Sequence, residues 1–211
     1  PWTPSRFNVK WPSSQSLSIP GDRAEILTEH MSAILDVTPD TAMELQQVSG
    51  NIRALAISGQ SDWRAAADAI TFDLSARPRD LAPPNSYTLV LEGQKLTLPE
   101  ALVAQLDPTG LLKPRVDAVT FAGHAAFDDP LDRIALEDGR LAMRAATIRE
   151  AGFRWGEMRL DVRGSIEVDD AGIPVGELSI EAREWRQMVN VAESAGVLDR
   201  QMAATVIDAV E

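Results

Sequence analysis

Cysteine is absent from the chain, which excludes disulfides, thiolate metal sites and thiol catalysis. Lysine is almost absent, with only Lys10, Lys95 and Lys113, and the net charge is −12. Phosphate binding needs a clustered positive surface that releases counterions, so nucleic acid is not an expected partner. Electrostatic docking on an anionic membrane is disfavoured for the same reason. No apolar run approaches the roughly 18 residues that span a bilayer, so no transmembrane segment is expected in this chain. The chain opens on Pro1 with no basic-then-apolar leader. The expected account is an N-terminal signal or anchor removed from it.

Catalytic templates are missing too. There is no Gly-x-Gly-x-x-Gly, and no lysine stands between a glycine and a Ser or Thr, so no phosphate loop is expected. Gly59-Gln60-Ser61-Asp62-Trp63 lacks the closing glycine of a nucleophile elbow and reads as a turn. The two histidines, His30 and His124, are too few and too far apart for a histidine metal centre. Asp128, Asp129 and Asp132 around Pro130 read as a turn rather than a cation cradle. Glu167, Asp169, Asp170 and Gly172 fit a calcium loop poorly, because Ala171 and Leu178 fall where oxygen ligands are required. No catalytic residue, metal or cofactor is expected. A carboxylate hydrolase would need two acidic side chains converging in a cleft.

What is present is alternation. From Glu157 to Asp169, Met158, Leu160, Val162, Ile166 and Val168 fall on one side, with Gly164 among them. Glu157, Arg159, Asp161, Arg163, Ser165, Glu167 and Asp169 fall on the other. Period two over this length predicts a strand with one buried face. A turn at Asp169–Pro174 and a return strand through Leu178, Ile180 and Ala182 complete a long hairpin within Gly152–Trp185.

Shorter runs with turn residues between them fill the N-terminal half: Phe7/Val9/Trp11, Leu17/Ile19, Ala24/Ile26, Met31–Val37, Met43/Leu45 and Leu55/Ile57. Their even spacing predicts an antiparallel meander. Arg64–Ala76 is assigned to a strand, and 77–86, with Pro78, Pro83 and Pro84, to a loop. Tyr87–Glu92 and Lys95–Leu98 are expected to pair around Gly93. Val116–Phe127 is expected as a strand, and Leu131–Leu136 and Leu141–Glu150 continue the series.

Helical period appears in two places. Pro99–Leu106 puts Leu102, Val103 and Leu106 on one face, with Pro99 at its start and Asp107-Pro108 at its end. Trp185, Met188, Val189 and Ala192 form a second stripe capped by Gly196, and Asp199 opens a further helix through Met202, Val206 and Ala209.

Five tryptophans against one tyrosine lie at element edges: Trp2, Trp11, Trp63, Trp155 and Trp185. Such rings close the ends of sheets or line an apolar cleft. Gly164 and Gly176, on the apolar side of the hairpin arms, mark a bulge, a bend or a close backbone approach. His124, among Gly123, Ala125 and Ala126, has room for its ring in a pocket wall. Trp155, Gly164, Gly176, Trp185 and His124 are therefore the candidate ligand-binding residues.

Phe153-Arg154-Trp155-Gly156-Glu157-Met158, Gly164-Ser165-Ile166 and Gly172-Ile173-Pro174-Val175-Gly176-Glu177-Leu178 carry a family resemblance, extended by Trp185-Arg186-Gln187-Met188 and Ala195-Gly196-Val197-Leu198. With them the chain resembles the bacterial family known as domain of unknown function 2125. That resemblance implies envelope proteins bearing an N-terminal signal or membrane anchor, and thus a periplasmic or inner-membrane-anchored location. It implies no activity.

The expected fold is mainly β (α+β): a long curved antiparallel meander or two stacked sheets, a short middle helix, and two C-terminal helices over 185–211 packed on the sheet. One β-rich domain over 1–211 is expected, with 77–86 as the candidate boundary between two lobes. The expected role is non-catalytic binding of a lipid or other apolar small molecule on a concave sheet. The alternative is an assembly scaffold for an envelope protein partner.

Overall fold

Side-chain alternation is carried through the whole molecule by one antiparallel sheet. The computed structural model describes residues 4–19, 22–108, 110, 112–139, 141–169, 171–196, 198, 199, 201 and 202. Its strands are β1 (Arg6–Lys10), β2 (Ser14–Ile19), β3 (Asp22–Leu27), β4 (His30–Val37), β5 (Leu45–Gly59), β6 (Arg64–Ala76), β7 (Ser86–Thr97), β8 (Arg115–Phe127), β9 (Met143–Trp155), β10 (Met158–Val168) and β11 (Pro174–Arg183). Three short helices, α1 (Glu100–Leu106), α2 (Arg133–Asp138) and α3 (Trp185–Ser194), complete the described elements.

The order across the sheet is β1-β4-β5-β6-β7-β8-β9-β10-β11, with β3 also on β5 and β2 on β3. β3 and β4 pair with β5 in one continuous register, so they act as a single arm interrupted at Thr28-Glu29. β1 and β2 form a matching outer arm, broken at Trp11–Ser13 where Pro12 removes a donor. From β4 onward each strand pairs with the next in sequence, the meander expected from the turn spacing. The alternative of two stacked sheets is not adopted, and the sheet is not closed.

The register produces three apolar rows. Val9, Ala33, Gly50, Phe72, Leu91, Phe121, Ala151, Val162 and Ile180 stand opposite one another from β1 to β11. Beside them run Phe7-Leu35-Val48-Leu74-Leu89-Gly123-Ile148-Gly164-Leu178 and Met31-Ile52-Ile70-Gly93-Val119-Phe153-Leu160-Ala182. On the opposite face the row Lys10-Ser32-Asn51-Thr71-Glu92-Thr120-Gly152-Asp161-Glu181 is polar. One face is therefore made for burial and the other for water.

Burial is incomplete. The accessible surface is 13899 Å², against about 9,600 Å² for a compact monomer of this mass. A buried cluster of Val103 from α1 with Val116, Trp155 and Met158 lies at one end, and Met188 of α3 packs against it. At the other end Tyr87, 2% exposed, packs against Phe127, and its hydroxyl accepts a hydrogen bond from the Leu131 N–H at 2.8 Å. The Leu131 carbonyl in turn accepts from Leu45 N–H, which ties the segment before α2 across the sheet.

Four expectations are corrected. Leu45 and Leu55/Ile57 do not belong to separate strands, because β5 runs unbroken from Leu45 to Gly59, and Met43 lies before it. Gly93 does not turn the chain; β7 continues through it, paired with β6 on one side and β8 on the other. Leu131–Leu136 is not a strand, because Asp132 accepts from the Ala135 N–H at 2.7 Å and opens α2, which ends at left-handed Gly139. Pro99 stands just before the first helical residue of α1 rather than in it. Loop 77–85 connects β6 and β7, which are neighbours in the same sheet. Of the last predicted helix, residues 201 and 202 are helical and Asp199 accepts from the Met202 N–H at 2.8 Å. Its remainder lies outside the described residues, as does Trp2.

Burial raises the pKa of the Tyr87 phenol above its ordinary value near 10. The contribution of the neutral phenol to stability is full below about pH 10 and is lost as pH rises through the higher native value. Tyr87 is the sole tyrosine, so phenolate absorbance reports this group alone. We expect it to ionise above pH 10 in the folded protein, together with loss of tertiary circular dichroism, and near 10 in denaturant. Ionisation of the folded protein at or below 10 would contradict this assignment.

Candidate functional site

The chemistry of the site begins with what α3 presents to the sheet. Met188, Val189 and Ala192 repeat at helical spacing and turn one apolar stripe towards β10 and α1. The helix starts at Trp185 and stops at Ala195, after which Gly196 takes φ 72° and its N–H donates to the Glu193 carbonyl. That is the terminating role expected of Gly196.

Between this stripe and the apolar rows lies a groove of about 750 Å³. Phe121, Ala151, Phe153, Leu160 and Val162 supply its sheet wall, and Met188, Ala192 and Ala195 its helix wall. The volume falls within the roughly 300–1,000 Å³ of small-molecule sites. Among the described residues, none that lines it is charged. Such a lining can desolvate an apolar ligand; among the described residues Thr120 carries its one hydroxyl, and the lining holds no carboxylate or imidazole. Among the described residues no group of three metal-ligating side chains gathers, and no helix is long and apolar enough to cross a membrane.

Trp155, which closes β9, is the candidate residue that lines this groove. It is buried, and its indole N–H donates to the Lys113 carbonyl at 2.7 Å, so the ring is fixed in orientation. Trp185 stands at the first turn of α3 with the Arg186 guanidinium 4.5 Å above its ring, and it is not part of the groove lining. His124 faces Thr88 and Thr147, out of step with the row through Gly123, and therefore sits on the polar side of the sheet. Desolvation, followed by the charges of Arg77 and Arg149, holds its imidazole below the ordinary pKa.

Gly164 and Gly176 lie beside the groove, towards β11. β9 carries one extra residue at Arg149–Glu150, where the register shifts against both β8 and β10. A bulge of this kind bends its strand and increases local twist. Gly164 sits across from it with φ 147°, and a Cβ there would fall 2.1 Å from the Glu177 carbonyl oxygen. A Cβ on Gly176 would fall 2.1 Å from the Ser165 carbonyl oxygen. Bulge and close backbone approach thus occur together at this level of the sheet.

The remaining polar clusters have local roles. Asp128 pairs with Arg144 and Asp132 caps α2. Asp169 accepts from the Ala171 and Ile173 N–H groups and closes the β10–β11 turn. Trp63 donates to Asp22 at 2.8 Å, and the Gly59 N–H bonds the Trp63 carbonyl, so Gly59–Trp63 is a turn. The groove residues not named from the sequence as ligand-binding candidates include Phe121, Ala151 and Phe153, and the α3 residues opposite them. Their signal was the alternation in β8 and β9, which identifies a buried face but not what lies above it.

The sequence profile described as "uncharacterized protein conserved in bacteria (DUF2125)" matches residues 1–211. The chain belongs to this family. Neither a curated protein nor a solved structure matches it. The resemblance carried by the β9–β11 residues therefore extends over the whole sequence, and the family description names no activity.

Gly164→Ala and Gly176→Ala are each expected to destabilise by about 1–3 kcal/mol through backbone collision, with Gly164 the costlier because its φ disfavours a side chain. Urea unfolding midpoints measure this. Midpoints equal to the native value would show that the two strands do not approach as closely as described.

Proposed function

We propose that this DUF2125 protein is a non-catalytic bacterial envelope protein that holds an apolar, lipid-like ligand in the groove between α3 and the sheet. The supporting observation is the groove itself: about 750 Å³, walled by Phe121, Ala151, Phe153, Leu160 and Val162 on one side and α3 on the other, with no charge among the described lining residues. Small side chains at Ala151, Ala192 and Ala195 leave the space that larger ones would fill. A hydrocarbon chain burying about ten methylenes there gains roughly 8 kcal/mol before ordering costs, and that gross value corresponds to about micromolar affinity. The proposed location is the periplasmic side of the envelope, as the family resemblance implies. A partner-binding role has a separate support, the outer edge of β11, which no strand pairs among the described residues.

Delipidated protein titrated with a fluorescent fatty acid, and analysed by native mass spectrometry, should bind one ligand per chain. Ala151→Trp and Ala192→Trp should each weaken binding more than about tenfold while circular dichroism shows the sheet intact. Absence of binding by the native protein, or equal binding by both folded variants, would overturn the proposal.

A further inference from the structure

The two edges of the open sheet are built differently. The β1–β2 edge is short-segmented, broken at Pro12, and carries Arg6 and Lys10. Pro and Lys on an edge are standard defences against strand addition. β11 is unbroken for 10 residues, has no lysine, and carries its only proline at the first position. Among the described residues no strand pairs with its outer side. Every residue of β11 is exposed, including Leu178 at 44% and Ile180 at 61%, although both continue the apolar rows. The apolar face thus runs to this edge and stops there uncovered.

We infer that β11 pairs antiparallel with β11 of a second copy of this chain, about a two-fold axis at Ile180. The charges select this register. With Ile180 opposite itself, Glu177 of each copy faces Arg183 of the other, Ser179 faces Glu181, and Leu178 faces Ala182. Moving the axis to Ser179 sets Glu177 against Glu181 twice, and moving it to Glu181 sets that carboxylate against itself. Like charges directly opposite on a sheet are destabilising, whereas opposite charges there are favourable. In the chosen register the two Glu181 carboxylates are only diagonal neighbours, and each lies in the field of its own Arg159. Pro174 falls outside the paired segment, so its missing N–H costs no ladder bond. The pairing is isologous and closes as a dimer. It joins the apolar rows of both copies into one continuous face across the axis.

This inference deepens the partner-binding role and is independent of the ligand. Sedimentation of the delipidated full chain should show a dimer in the micromolar range. Glu177→Arg and Arg183→Glu should each weaken it about tenfold or more, since each turns two attractive pairs repulsive. The double variant, which exchanges the two charges, should recover native association. Ile180→Cys, in a chain without other cysteines, should form a covalent dimer on mild oxidation in far higher yield than Ser179→Cys. A native protein that stays monomeric, or a double variant no better than the single ones, would overturn the pairing. A pull-down that captures a different protein through β11 while sedimentation shows a monomer would sink self-pairing alone and leave the wider partner role standing.

Discussion

Everything in this protein depends on register. A strand has side-chain period two, so a slip of one residue between any two neighbours would turn all later apolar side chains towards water. Nine strands hold Val9, Ala33, Gly50, Phe72, Leu91, Phe121, Ala151, Val162 and Ile180 in line. The extra residue in β9 is part of that constraint. Below it Ala146 and Ile148 face the apolar side, and above it Ala151 and Phe153 do. The parity of the sequence changes between Ile148 and Ala151, and the bulge at Arg149–Glu150 absorbs the change. Without it one half of β9 would present its apolar residues to the wrong face.

A one-sided sheet this wide has to be covered, and the three described helices do not cover all of it. α1 and α3 enclose the cluster around Met158, which is 1% exposed. The segment leading into α2 seals the far end through Tyr87. Between these closures the apolar rows are half-buried, and α3 stands far enough from β9 and β10 to leave a groove. Partly uncovered apolar surface of this kind is what the proposed ligand role rests on. The described lining side chains are hydrocarbon and aromatic surface with small residues between and one hydroxyl, Thr120, and none of them is charged.

Much of the fold was legible because alternation and turn residues are local signals. The long hairpin, the β6 strand, α1 and the stripe of α3 all follow from spacing alone. Long strands were harder to see. β5 and β7 each contain a break in alternation, with Ala54 and Lys95 at positive φ, and the break looks like a strand end until the paired neighbours show that the ladder continues. α2 is six residues long and depends on the Asp132 cap, a signal that a turn-forming Asp-Asp-Pro run conceals. Trp155 lines the groove, and it was legible as an edge residue because it ends a strand on the apolar side. His124 was not placed correctly, since its small neighbours Gly123, Ala125 and Ala126 conceal which side of β8 it occupies.

By itself the sequence determined the class of structure, the identity of the apolar face and the absence of catalytic templates. These are set by residue type and by period along the chain. Only the tertiary structure decided that the strands form one open sheet, that α3 stands off β9 and β10 to leave a cavity, and that β11 ends the sheet with no described strand beyond it. Those features depend on pairings between residues far apart in sequence and on the volume left between packed surfaces, and neither is encoded in the spacing of any single segment.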